Sequence, residues 1–255
     1  MQERIIREWQ LYLLAISTFT RLPVFRNVPY SDSRQNECYK YAGFVGLVVG
    51  VLSAIAFYVS DLLWTKEVAV VICMVVSIYC TGAFHEDGFA DTCDGFGGAF
   101  STERKLEIMK DSRVGAYALI GTIMILLFKY ATLIGSEQVI TSLVIAHVLS
   151  RTVAVSFSHT HKYVRDPRIS KVKISSQSSS QNEQIVLLLV ALSISASLLS
   201  WGHFVGLFGC LFIIRWLLGR WLVSHIGGYT GDTLGAVQQI SEIACYLYLQ
   251  AVLTA

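Results

Sequence analysis

The residues best suited to chemistry lie between Thr81 and Arg113, in the segment TGAFHEDGFADTCDGFGGAFSTERKLEIMKDSR. Glu86, Asp87, Asp91 and Asp94 fall within nine residues, and Asp111 follows a short way on. If Asp87 to Asp94 is helical, the i, i+4, i+7 spacing puts three carboxylates on one face. Like charges stacked this way repel unless something positive stands between them. A hard divalent cation is the natural partner, because Mg²⁺ takes oxygen ligands and is commonly held by one or two carboxylates plus a substrate phosphate. Gly88, Gly95, Gly97 and Gly98 would let backbone approach a ligand closely, and Arg104, Lys105, Lys110 and Arg113 follow with positive charge. The segment reads as a metal–phosphate site at a membrane surface. The plain alternative is an acidic, solvated connection, against which the regular spacing argues. His85 adjoins the acids and could bind phosphate or carry a proton near neutral pH; its plainer role is a satisfied polar group at a helix end.

A second segment, GGYTGDTLG (227–235), combines four glycines with Thr230, Thr233 and Asp232. A Gly-rich turn leading into a helix presents backbone N–H groups to an anion. Thr230 and Asp232 are the substrate-binding candidates here. Asp232 would oppose an anion unless it meets a metal or a substrate hydroxyl, and a helix N-cap is its equal alternative. The segment lacks the GK[ST] ending of a P-loop.

These residues must be positioned by elements that suit a bilayer. The chain is 54% hydrophobic and only 15% charged, where soluble proteins average roughly 25% charged. The net charge of +2 and the lack of a basic tract exclude nucleic acid as a partner. Six cysteines (Cys38, Cys73, Cys80, Cys93, Cys210, Cys245) show no CxxC and lie mostly in apolar runs, which reads as reduced, buried thiols. No small-residue cleavage site follows the first apolar stretch, so no removed signal peptide is expected.

The expected fold is all-α: a polytopic helical bundle forming one membrane-embedded catalytic domain over 1–255. Residues 5–20 read as an interfacial or partly inserted helix, with Trp9 and Tyr12 suited to the headgroup layer. Seven spans are expected, at about 41–64, 67–84, 114–134, 139–157, 185–201, 204–222 and 234–254. The connections 85–113, 158–184 and 223–233 read as loops on one side, and SSQSSSQNEQ makes the second of them a mobile polar loop. Lys and Arg concentrate in 1–40, 85–113 and 158–184, whereas 61–66 has only Lys66 and 135–138 and 202–203 have none. This asymmetry puts the N-terminus and the acidic segment in the cytoplasm and the C-terminus outside. Three basic residues fall within spans: Lys129, Arg151 and Arg215. Arg151 could reach a phosphate or pair with a carboxylate, while Lys129, nearer the far end of its span, reads as snorkelling.

HEDGFADTCDGFGG (85–98) with IMKDSRVG (108–115), and then GGYTGDTLGA (227–236) and FTRLPV (19–24), resemble the cobalamin synthase family of adenosylcobinamide-GDP ribazoletransferases. The resemblance covers essentially the whole chain. It implies that adenosylcobinamide-GDP is joined to α-ribazole, or to its 5′-phosphate, with release of GMP. The ribazole 5′-oxygen would attack the phosphorus attached to cobinamide. On this resemblance Asp87, Asp91 and Asp94, with Glu86 or Asp111, hold one or two Mg²⁺ ions across the diphosphate, and a remaining carboxylate accepts the hydroxyl proton. Lys110 and Arg113 would neutralise the leaving GMP, with Arg21 and Arg151 as further candidates, and Asp232 would be a metal ligand or ribose contact. The setting implied is the cell inner membrane, with lipid as a partner, the active site facing the cytoplasm and self-association left open.

Two other classes compete. A CDP-alcohol phosphotransferase also presents clustered Asp to Mg²⁺, but its DGxxAR element is not matched, since Ala90 is followed by Asp91. A cation transporter would carry acids within several spans, whereas here Glu242 is the exception.

Overall fold

The computed structural model describes residues 2–24, 28–165 and 181–253, and it is helical throughout. Among the described residues no strand forms; a single bridge pairs Tyr163 with Tyr229. The part of the expected polar loop at 166–180 lies outside the described residues.

The chain opens with α1 (Gln2–Phe19), an amphipathic helix that buries Leu11, Leu14, Ala15 and Ile16 and leaves Ile5, Ile6 and Trp9 exposed. A short helix, α2 (Asp32–Cys38), follows and runs through a 3-10 turn (Tyr39–Tyr41) into α3 (Ala42–Asp61). Ion pairs from Arg7 to Glu37 (2.6 Å) and from Lys40 to Glu8 (2.7 Å) fasten α1 to this entry. Next come α4 (Lys66–Thr81), α5 (Phe84–Gly98), the short α6 (Thr102–Ile108), α7 (Ala116–Ile134) and α8 (Val139–Ser156). The last three are α9 (Gln181–Leu198), α10 (Trp201–Ile226) and α11 (Gly231–Leu253).

The centre of the bundle is α8, packed on α3 and α11, with α5 lodged between α11 and α7. Sequence explains the layering. In α8, 78% of the apolar stretch is inside, against 22% for α10, whose Phe212, Ile213, Trp216 and Leu217 face outward. Exposed apolar side chains on α3, α7 and α10, such as Ile55, Val59, Ile120, Leu127 and Phe212, suit hydrocarbon rather than water. The chain is built as a membrane protein.

The expectation of seven spans is not supported. Four stretches are long and apolar enough to cross a bilayer: 32–61, 116–134, 139–159 and 201–226. A fifth is reached only if α4 and α5 count as one span, bent by 88°. The described part of α9 is shorter (Asn182–Leu198), and α11 carries Gln238, Gln239, Ser241 and Glu242 on a face buried in protein. The expected span 67–84 stops early because Gly82 (φ 65°) and Ala83 (φ 57°) both turn left-handed. Ala83 N–H bonds the Ile78 carbonyl at 2.9 Å, closing the end of α4. The connection 85–113 consists largely of α5 and α6.

Candidate functional site

The acidic segment is helical, and α5 presents Asp87, Asp91 and Asp94 on one face, with His85, Gly88, Thr92 and Gly95 buried on another. Glu86 and Asp87 occupy its first turn, where the positive end of the helix dipole favours them. Four glycines weaken a helix, so packing must hold this one. Gly88 lies against the Asp232 backbone of α11, where an added methyl would come within 3.0 Å of Asp232 Cα. Gly235 meets His85 and Gly88 in the same way. Only hydrogen at both positions permits so close a crossing.

The acids separate by environment. Asp87 is exposed and Asp91, one turn on, is half-buried. Asp94 accepts hydrogen bonds from Gly115 N–H (2.6 Å) and Ala118 N–H (2.8 Å), so it caps the start of α7. Asp111, beyond α6, is gripped by Arg113 through Nη2 at 2.6 Å and Nε at 3.0 Å. That hydrogen-bonded guanidinium draws its carboxyl down to about 2. Glu86 turns inward, accepting from Gln239 Nε2 at 3.0 Å and lying 3.6 Å from Lys129 Nζ. Among the described residues no three His, Cys, Asp or Glu side chains gather closely enough to hold a metal ion. All six cysteines are free, and Cys93 lies against Gly121 of α7.

The other candidates take distinct places. Thr230 and Thr233 form a reciprocal cap at α11: each hydroxyl accepts from the other's backbone N–H, at 3.2 and 2.8 Å. Asp232 sits within the first turn and pairs with Arg165 at 2.6 Å, so the cap belongs to the threonines. Arg165 also donates to the Met109 carbonyl at 3.2 Å, joining the acidic segment to α11. Arg21 is exposed beside the bend; its backbone N–H bonds Cys80 O at 2.7 Å and its guanidinium lies over Gly82. Lys110 is exposed next to Asp111. His85 and Arg151 are buried and line one cleft.

Beneath α5 lies a buried polar cluster that the sequence reading missed. Lys129 does not snorkel: it is 3% exposed, with Nζ 3.0 Å from Glu242 Oε1. Glu242 also accepts from Gln238 (2.6 Å) and Tyr246 (3.1 Å), and His147 Nδ1 lies 3.7 Å away. Arg151 Nη1 bonds the His147 carbonyl at 3.0 Å, and Gln238 reaches Ser150 at 3.0 Å. Two acids, Glu86 and Glu242, thus offset two bases, Lys129 and Arg151, as burial of charge requires. The available signal was that a lone Lys and a lone Glu in apolar helices tend to find each other.

The family model for cobalamin-5-phosphate synthase matches residues 11–250. The chain belongs to this family. It is therefore an enzyme, one of the transferases of cobalamin biosynthesis. Relatives named adenosylcobinamide-GDP ribazoletransferase are similar along almost the full length. The one from Shewanella amazonensis is 46% identical over 248 residues, covering 95% of each chain. That from Vibrio cholerae serotype O1 is 44% identical over 251 residues, covering 96% of this chain and 94% of its own. That from Shewanella frigidimarina is 41% identical over 252 residues, covering 97% and 96%. No solved structure matches.

Proposed function

We propose that this cobalamin-5-phosphate synthase family member joins adenosylcobinamide-GDP to α-ribazole or its 5′-phosphate, releasing GMP, and does so with Mg²⁺ at α5. The observation that carries the reading is the pairing of Asp87 and Asp91, one turn apart on the outer face of α5, in a chain of this family. Hard oxygen donors in that number fit Mg²⁺, which keeps other positions for water and substrate phosphate. Asp87 and Asp91 are the ligands proposed because they share the outer face of α5, while Glu86 lies against Lys129, Asp94 caps α7 and Asp111 pairs with Arg113. Bound there, the ion would neutralise the diphosphate and ease the departure of GMP.

The chain's own groups do the rest. An acceptor ribose hydroxyl forms a new O–P bond at the phosphorus attached to cobinamide, the bridging P–O bond breaks, and GMP leaves. The family description speaks of a 5-phosphate, which supports a secondary ribose hydroxyl rather than the 5′-oxygen as the attacking group. Asp87 or Asp91 takes the hydroxyl proton. Lys110, exposed on the same connection, offers charge to the leaving phosphate, while Arg113 is engaged by Asp111. The Lys and Arg asymmetry supports a cytoplasmic active face in the inner membrane.

GMP release by the purified protein in lipid vesicles tests the reading. Release should require both substrates, stop on metal chelation, and fall at least about a hundredfold in Asp87→Asn and Asp91→Asn, as for loss of transition-state charge stabilisation. Full turnover in both variants would overturn the assignment of these acids, and no GMP from wild type would overturn the function.

A further inference from the structure

Beside the first turn of α5, a small cleft enters between the cytoplasm-assigned ends of α1, α8 and α11. Its walls are rings and small aliphatics. Phe19 meets Phe84 edge-on at 6.2 Å and Tyr39 at 5.5 Å, and the His85 ring lies 5.3 Å from Phe84. Ala154 of α8 and Leu234 of α11 complete the apolar lining.

One charged side chain interrupts this surface. Arg151 is 3% exposed, and its Nε holds no hydrogen-bond partner among the described residues. Its Nη1 is fixed by the His147 carbonyl, so the guanidinium cannot swing away to satisfy Nε elsewhere. An unmet donor of this kind favours a ligand that brings an acceptor.

We infer that this cleft is the acceptor subsite: it takes the flat aromatic base of the ribazole between the rings, with a ring nitrogen or ribose oxygen accepting from Arg151. The inference rests on the transferase reading above and says which of its two substrates sits here. A corrin with its amide arms is too bulky for the space these side chains frame. A diphosphate would need more than one cation, and a lipid tail would leave the guanidinium unpaired. His85 belongs both to the cleft wall and to α5, which places the base beside the helix that carries Asp87 and Asp91.

Ala154→Leu fills the cleft without touching a charge. In vesicles it should raise KM for α-ribazole about tenfold, as an overpacked site does, and leave KM for adenosylcobinamide-GDP within about twofold. Free benzimidazole should inhibit wild type competitively against α-ribazole, and less so in the variant. An unchanged KM for α-ribazole, or a rise confined to adenosylcobinamide-GDP, would overturn the subsite. Titration calorimetry of α-ribazole into both proteins decides the matter independently of turnover. Weaker binding to Ala154→Leu than to wild type supports the cleft even if no GMP forms, while equal binding rejects it even if turnover is normal. A second variant, Phe19→Ala, removes a wall rather than filling the space, and it too should weaken α-ribazole and spare the other substrate.

Discussion

Replacing Lys129 by Met keeps a long side chain and removes one charge from inside the bundle. In the native arrangement Nζ stands 3.0 Å from Glu242 and 3.6 Å from Glu86, with all three side chains at most 11% exposed. At an effective dielectric of about 20, attraction across the shorter gap is roughly 5 kcal/mol, part of which offsets desolvation of the ammonium. Breaking one side of a buried pair costs about 3–5 kcal/mol, since the remaining charge is stranded. Hydrogen bonds from Gln238 and Tyr246 still hold Glu242, so the lower end, about 3 kcal/mol, is expected. For a chain of this size that corresponds to a melting point lower by about 6–12 °C, read by circular dichroism in a fixed detergent. The double variant Lys129→Met with Glu242→Gln removes the stranded charge and should regain most of the loss. If the single variant melts within about 2 °C of wild type, or if the double variant is no better than the single, the account of the cluster as a balanced pair fails.

Three further outcomes are expected. Asp94→Ala should cost about 1–2 kcal/mol by uncapping α7, while Asp94→Asn, which can still accept at one oxygen, should cost less; equal losses in thermal melts would deny the cap. The carboxyl of Asp111 is held below its unfolded value, so its contribution to stability is full above about pH 4 and lost as pH falls through about 2. Wild type and Asp111→Asn should therefore differ by a constant amount between pH 6 and pH 8, roughly speaking, and converge only in acid; a gap that changes over the neutral range would contradict this. A reporter fused beside Thr160 should lie in the cytoplasm and one fused after Ala255 outside, and a cytoplasmic C-terminus would show that the number of crossings is even rather than odd.

The acidic helix was legible because its spacing is internal to one element: Asp87, Asp91 and Asp94 needed no knowledge of a partner. What depends on a second element was not. The cap that Asp94 provides involves Gly115 and Ala118, more than twenty positions away, and nothing local distinguishes it from its neighbours. Position along a span suggested that Lys129 would reach for the headgroups, yet Glu242 and Glu86 face it across the bundle. The bend was hidden too, since Ala83, a good helix former, adopts a left-handed conformation there. Counting hydrophobic windows did not distinguish α11, which is buried by protein and tolerates glutamines that lipid would reject, from the lipid-facing helices.

That polar face of α11 constrains how the molecule is made. A carboxylate near the middle of a helix costs about 2.5–3.5 kcal/mol to insert alone, and Gln238 and Gln239 add to it. The helix gains a favourable resting place only where α5, α7 and α8 already offer Glu86, Lys129, His147 and Ser150. Biogenesis must therefore run in order, with earlier helices parked in the bilayer around an unfilled slot and α11 entering it as the closing step. Until then the acidic helix lacks the surface that Gly88 packs on. A ribosome still holding α11 carries a chain whose acidic helix has no surface to close on, so the last helix made is the one that locks the bundle.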